Sequence, residues 1–438
     1  MKKSLLALAA MGAFASVAQA QSSVTVYGVI DEGYVGGNNR QSNGTVATTG
    51  AAPTAATATA GTTGVKKSTY NGLTGGNEST NRLGVRGNED LGGGMSAFFT
   101  YETAITADAD ATGATTQGTT SMFSTTRQAF VGLKKNGIGQ AALGTQNTVI
   151  YDAVLATAPT GVNNINGSLV DNISTKGIGG GTYQTGIGNT TSYNTRMGNT
   201  LGLKSDKFAG FNVRASLTAN STNSTQTATS TGTAAGVGGT NNVSGAAIGL
   251  DYGWQKLFLT ANYQSFTASS NTNAASTAPI LFGATASGAG GSANSAGTNV
   301  KDVGQYYAAT YDFGVLKGFV QYINRKATTD SMAAAYSKFT AQQIGVRSFI
   351  TPALEGWIAG SMGKYQSLPQ TTGGNITYTP GQANLTAMQV GANYFLSKRT
   401  NLYAIYGQSG SSNVALSATG NTTSANVNNY ALGVRHTF

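Results

Sequence analysis

Apolar side chains recur at every second position in short stretches along the whole chain, and no comparable stretch repeats at 3.6 residues. In "FNVRASLTA" Phe211, Val213, Ala215 and Leu217 share one face, while Asn212, Arg214, Ser216 and Thr218 share the other. "KLFLTANYQ" divides in the same way, with Leu257, Leu259, Ala261 and Tyr263 against Lys256, Thr260, Asn262 and Gln264. In "AMQVGANYFL" Met388, Val390, Ala392, Tyr394 and Leu396 oppose Gln389, Gly391 and Asn393. The last residues, "NNYALGVRHTF", put Tyr430, Leu432, Val434, His436 and Phe438 on one face and finish on a bare phenylalanine. A period of two is the pattern of strands with one apolar and one polar face.

The connections alternate as well. Short ones with turn chemistry fall at 88–94, 135–139, 205–210, Trp254-Gln255, 312–314, 351–356 and 397–400. Long polar ones fall at about 36–78, 104–123, 146–188, 220–243, 268–300, 326–337, 366–383 and 409–427. Seven short and eight long connections in strict alternation predict sixteen antiparallel strands, with short turns at one end and long loops at the other. An even number lets the first and last strands meet, which removes the unsatisfied edge that lipid would penalise by several kcal/mol per amide. A strand of about 10 residues rises about 33 Å, and a tilt of about 40° projects this onto about 25 Å, the apolar height of an outer-membrane barrel. Sixteen strands enclose more space than side chains can fill, so the lumen holds water and the polar face points into it.

Composition fits an exported chain of this class. Met1–Ala20 carries Lys2 and Lys3, an apolar run from Leu5 to Val17, and Ala18-Gln19-Ala20, the three parts of a signal peptide; the mature domain is expected at 21–438. That run is shorter than the roughly 20 apolar residues a spanning helix needs. Cysteine is absent, which excludes disulfides and thiolate metal sites. With 61 glycines and only 6 prolines among 438 residues the chain could be disordered, but 20 tyrosines, 16 phenylalanines and 39% hydrophobic residues argue for ordered structure. Setting Lys2 and Lys3 aside leaves 24 basic against 16 acidic side chains, scattered singly, which is a poor footprint for nucleic acid.

"SSVTVYGVIDEG", "NRLGVRGNEDLGGGMSAFFTYE", "TTRQAFVGLKKNGIGQAALGTQNTVIYDAV" and the closing "YALGVRHTF" resemble the general porins of Gram-negative outer membranes, of the type found in Neisseria and Burkholderia-like bacteria. The resemblance implies an all-β, 16-stranded transmembrane barrel with short periplasmic turns and long extracellular loops. It implies a homotrimer for passive diffusion of ions and small hydrophilic solutes, with a third loop, about 146–188, folded inward to narrow the pore. It also implies contact with membrane lipid and lipopolysaccharide, and recognition of the terminal strand, through Phe438 and Tyr430, by the outer-membrane assembly machinery. Such porins set basic residues on the barrel wall against carboxylates on the inward loop. By local motif the wall positions are Arg82 in "NRLGVRG", Arg127 in "TTRQAFVGL" and Arg196 in "NTRMGNTLGL"; Tyr151 and Asp152 match the loop's opening, and Asp171 is its other carboxylate. Thr145 in "LGTQ" stands where the family commonly has arginine, and the loop lacks the usual Pro-Glu-Phe-Gly element. Three arginines against two loop carboxylates, in a chain with excess positive charge, imply a mild anion preference.

Catalytic and cofactor chemistry finds little support. The one histidine, His436, lies on the apolar face near the terminus and cannot head a triad or zinc cluster. Asp31-Glu32 point to opposite strand faces, Glu89-Asp90 sit in a turn, and Asp108 with Asp110 lie in a long loop, so none forms a glycosidase pair. "GIGGGTYQTGIG" at 177–188 lacks the Lys-Ser/Thr ending of a phosphate loop. Trp254 and Trp357 flank turns and are expected in an interfacial aromatic girdle. An adhesin or β-helical passenger is the competing class, but such solenoids need a fixed internal repeat and none is visible. A substrate-specific channel is the nearer rival.

Overall fold

The computed structural model describes residues 23–43, 64–106, 123–171, 195–224, 239–270, 298–329, 336–368, 381–415 and 422–438. The expected signal peptide, Asp108, Asp110 and the glycine-rich 177–188 lie outside the described residues. Among the described residues seventeen strands follow in order: β1 (Ser23–Asn43), β2 (Gly64–Gly75), β3 (Arg82–Gly92), β4 (Met95–Ile105), β5 (Phe123–Lys135), β6 (Gly139–Asn147), β7 (Arg196–Ser205), β8 (Phe211–Ser224) and β9 (Gly239–Trp254). Then come β10 (Leu257–Ser270), β11 (Thr298–Asp312), β12 (Lys317–Thr329), β13 (Tyr336–Thr351), β14 (Leu354–Leu368), β15 (Gly381–Phe395), β16 (Thr400–Ala415) and β17 (Thr422–Thr437). Helix α1 (Val149–Thr157) follows β6.

Apart from β2 and β3, which both pair with β1, strands adjacent in the chain pair antiparallel, and β1 pairs with β17, so the sheet closes on itself. β2 and β3 are the two halves of one broken strand: Glu32–Asn43 of β1 pairs with β2, and Ser23–Val29 pairs with β3. Counted around the wall there are therefore sixteen antiparallel staves. The final stave closes the ring through its last residue, since the Phe438 N–H donates to Gly28 O at 3.2 Å and Phe438 O accepts from Gly28 N at 3.1 Å. Gly28 leaves room for the Phe438 ring, which a Cβ there would overlap.

The short turns fall where the sequence puts them, and the staves run further toward the long connections than it suggests. β1 continues to Asn43 and β2 begins at Gly64, so the stretches 36–43 and 64–78 expected in a loop form wall and kink instead. Polar and glycine-rich residues there still form ladder hydrogen bonds, because a barrel wall extends beyond the apolar band into the headgroup layer. Trp254 takes the expected outward position beside a turn and is 58% exposed. Trp357 does not belong to the girdle: it points inward, 3% exposed, with its indole N–H donating to Gln389 at 3.1 Å. It follows the inward parity of Ala359 and Ser361, which closeness to a turn did not reveal.

Candidate functional site: the lumen wall and the inward segment

The segment from Thr148 to Asp171 runs through the barrel interior. Helix α1 starts with Thr148, whose hydroxyl accepts from the Tyr151 N–H at 3.2 Å as an N-cap. Its Ile150, Ala153 and Val154, with Leu169 and Val170 further on, pack on inward side chains of β11–β15, among them Tyr306, Ile323, Phe339, Tyr365 and Leu385. Polar anchors fix the rest of the path. The Val149 carbonyl accepts from Arg214 at 3.0 Å, Thr157 bonds Tyr306 at 2.6 Å, and Asn163 exchanges amide bonds with Gln389 at 2.6 and 3.0 Å. The inward face where the segment lies on it therefore combines large apolar side chains with buried glutamines such as Gln321, Gln343 and Gln389. Period two breaks there in "YYAATY" and "QYIN", where both faces carry large apolar groups, and that break is the sequence signal that would have located the footprint.

The break between β2 and β3 forms the second inward feature. Residues 76–81 leave the wall because the buried Asp31 carboxylate accepts the N–H groups of Glu78 and Ser79, each at 2.6 Å, and the Tyr403 hydroxyl at 2.6 Å. Asp31 thus faces inward, and its neighbour Glu32 accepts from Asn81 at 2.9 Å. Glu78 is carried across to β15–β17, where Asn393 and Asn401 donate to it at 2.8 and 2.9 Å and Arg435 lies 3.5 Å away. Asn164 joins the two inward features by donating to Gly76 O at 2.7 Å.

Arg82, Arg127 and Arg196 are brought together with Arg435, Glu102 and Tyr151 as electrostatic neighbours. Arg127 pairs with Glu102 at 2.6 Å, and Glu102 also accepts from the Tyr27 hydroxyl at 3.1 Å. Arg82 donates to Ser79 at 3.0 Å. The Arg196 guanidinium lies over the Tyr151 ring, 5.4 Å from its centroid. Tyr151 is therefore the residue of α1 that meets the arginines. Asp152 turns the other way, accepting from Asn147 at 2.8 Å beside Lys204 and Arg214, and Asp171 is 3% exposed and held against the wall by Thr160, Gln321 and Gln343 at 2.6, 2.9 and 2.8 Å. Burial pushes both carboxyls above the ordinary range despite these hydrogen bonds. The expected facing of arginines and loop carboxylates is thus absent among the described residues; Glu102 and Glu78, on the wall and its kink, stand near the arginines instead. Thr145, at the position where a family arginine was expected, lies in the ladder between Ala129 and the bulged start of β7.

Sequence reasoning missed three further inward ion pairs. Arg214 meets Asp251 at 2.7 Å, Arg347 meets Glu355 at 2.7 and 3.0 Å, and Arg325 meets Asp302 with two contacts of 3.0 Å from its Nε. Arg347 also lies over Trp357 and donates to Pro159 O at 3.4 Å, which ties it to the inward segment. In Arg214, Asp251, Asp302 and Arg325 the signal was parity, since each sits on the polar face of its strand. Tyr430 and Phe438 are exposed on the outer face, as the alternation predicts.

A closed sheet of sixteen staves with an apolar outer band, a polar interior and a segment folded through it defines a membrane channel. The chain belongs to the Gram-negative porin family, whose family model matches residues 7–414. It is 27% identical to an outer membrane porin protein of Bordetella pertussis over 464 aligned residues that cover 100% of both chains. Among solved structures its fold is similar to an anion-selective porin from Comamonas acidovorans, with TM-score 0.57, 19% identity and coverage of 95% and 100%. It is also similar to the trimer form of OmpT of Vibrio cholerae, with TM-score 0.52, 12% identity and coverage of 95% and 99%. The protein is therefore an outer-membrane, multi-pass β-barrel that forms a channel for small solutes.

Proposed function

We propose that ions and small hydrophilic solutes cross this channel through one neck, bounded by Arg82, Arg127, Arg196 and Arg435 on one side and the exposed face of α1 on the other. The neck favours anions. The observation that carries this reading is the charge imbalance: four guanidinium groups share the region with Glu102 and Glu78, while Asp152 and Asp171 are turned to the wall. Fixed positive charge beside a narrow water path raises the local concentration of anions and lowers that of cations. Tyr151 and Leu155, four residues apart on the same helix face, present an aromatic ring and an apolar side chain to the path. In planar bilayers under a salt gradient the reversal potential is expected to have the anion-selective sign, and replacing Arg82, Arg127 and Arg196 together by Ala is expected to bring it close to zero or invert it. A cation-selective wild-type channel would overturn the reading.

The same reading places the short turns in the periplasm, the long connections outside and a homotrimer in the membrane. The trimer form of the similar OmpT structure supports the last point. It keeps 1–20 as the signal peptide, 21–438 as the barrel, and Phe438 with Tyr430 as the elements the assembly machinery recognises. Deleting Phe438 is expected to lower outer-membrane abundance in cells.

A further inference from the structure

The seam where the first and last staves meet is bridged from inside the barrel. Tyr403 on β16 stands in register with Gly433 of β17, which stands in register with Gly33 of β1. A Cβ on either glycine would overlap the Tyr403 hydroxyl, so the pair clears a path for the phenol across β17. The hydroxyl ends on Asp31 at 2.6 Å. Ring and carboxylate thus join β16 to β1 without using the ladder of β17.

Asp31 in turn holds 76–81 at both ends and in the middle. Its carbonyl accepts from Gly76 N at 2.8 Å, its carboxylate accepts the Glu78 and Ser79 N–H groups at 2.6 Å, and its own N–H donates to Asn81 Oδ1 at 2.6 Å. A fully buried carboxylate is costly unless its oxygens are filled, and here they are. What the segment carries belongs to the neck. The Ser79 hydroxyl accepts from Arg82 at 3.0 Å, and the buried Glu78 carboxylate takes Asn393 and Asn401 at 2.8 and 2.9 Å with Arg435 at 3.5 Å. Arg435 is also the residue in register with Asp31 across the seam.

We infer that Asp31 is a positioning residue for the channel's selectivity, a role that rests on the neck proposed above. It touches no solute. By clasping 76–81 to the seam it sets Arg82 through Ser79, and it keeps the Glu78 charge against Arg435 and out of the water path. Without the clasp, a mobile carboxylate enters the path beside the arginines and anion preference falls.

The experiment compares Asp31→Ala with Asp31→Asn, which removes the same charge. Asn keeps one oxygen for the two amides and offers its NH2 to the Tyr403 oxygen. Position is read in the full-length protein carrying Asn77→Cys, a buried site in a chain with no other thiol, from the rate of reaction with a neutral, water-soluble maleimide. Selectivity is read in planar bilayers from the variants without that thiol. Asp31→Ala is expected to label about tenfold faster than the Asp31 parent, with Asp31→Asn close to the parent. The anion-to-cation permeability ratio of Asp31→Ala is expected about twofold below that of Asp31→Asn, and adding Glu78→Gln to Asp31→Ala should remove the deficit. Tyr403→Phe keeps the ring over the two glycines but loses the bond to Asp31; it should label about threefold faster than the parent, and it carries the test if the Ala barrel does not fold. Equal labelling of Ala and Asn variants, or of Tyr403→Phe and the parent, would overturn the inference. So would faster labelling of Asp31→Ala with no difference in permeability ratio, since 76–81 would then serve the fold alone. A cation-selective parent would instead contradict the neck, and the labelling comparison is independent of that sign.

Discussion

By alternation Arg127 shares a face with Ala129, Val131 and Leu133, and a regular strand would drive its guanidinium into the lipid at a cost of about 2–4 kcal/mol near the midplane. It escapes through a β-bulge: Glu102 opposes Gln128 while Thr103 opposes Thr126, so Arg127 is the unpaired extra residue and turns inward to Glu102. The strand pattern around Arg127 therefore gives the wrong face, and the bulge supplies the inward one. Glu102→Gln is expected to leave Arg127 without its counter-charge and raise the anion-to-cation permeability ratio about two- to threefold, read from reversal potentials. The loop carboxylates give the opposite lesson. Asp171 was legible as a loop carboxylate but its burial was not, because Gln321 and Gln343, which hold it, lie 150 and 172 residues away in sequence. Asp171→Ala removes three hydrogen bonds to a buried site, a loss of about 1–3 kcal/mol, and is expected to appear as current flicker and faster proteolysis of 148–171. Burial raises the carboxyls of Asp152 and Asp171, so lowering the pH from neutral neutralises them earlier than ordinary carboxylates.

Strands were readable as elements because each carries its own evidence in period two. Helix α1 was not, since nine residues, "VIYDAVLAT", are apolar on too many sides to show a period. It is fixed by the wall it docks on and by its Thr148 cap. The kink at 76–81 was equally hidden, because it exists only where Asp31, some fifty residues earlier, captures two of its amides. The closing element is the most local of all: Gly28 and Phe438 bond each other's backbones, and the glycine makes room for the ring. Gly28→Val is expected to force the Phe438 ring away and weaken closure, so that the heat-modifiable folded band on gels is lost at a lower temperature than in wild type. An unchanged transition would show that the terminal ring does not depend on this seat.

At the scale of the whole molecule, 148–171 covers one wall of the lumen through apolar packing and polar anchors, and the arginine cluster stands on the opposite wall. That asymmetry links the fold to transport. The inward segment is held mainly by apolar packing on β11–β15, so it stays in place while its other face, Tyr151 and the 46% exposed Leu155, remains free to border the path. The chain has no cysteine, so a thiol introduced at Leu155 is the sole target of thiol reagents. The most direct measurement is therefore the single-channel current of Leu155→Cys during exposure to methanethiosulfonate reagents of opposite charge. A neck between α1 and the arginine wall predicts a stepwise fall in current, reached faster with the anionic sulfonatoethyl reagent than with the cationic trimethylammonium one. Current that stays unchanged after confirmed labelling, or faster reaction with the cation, would contradict it.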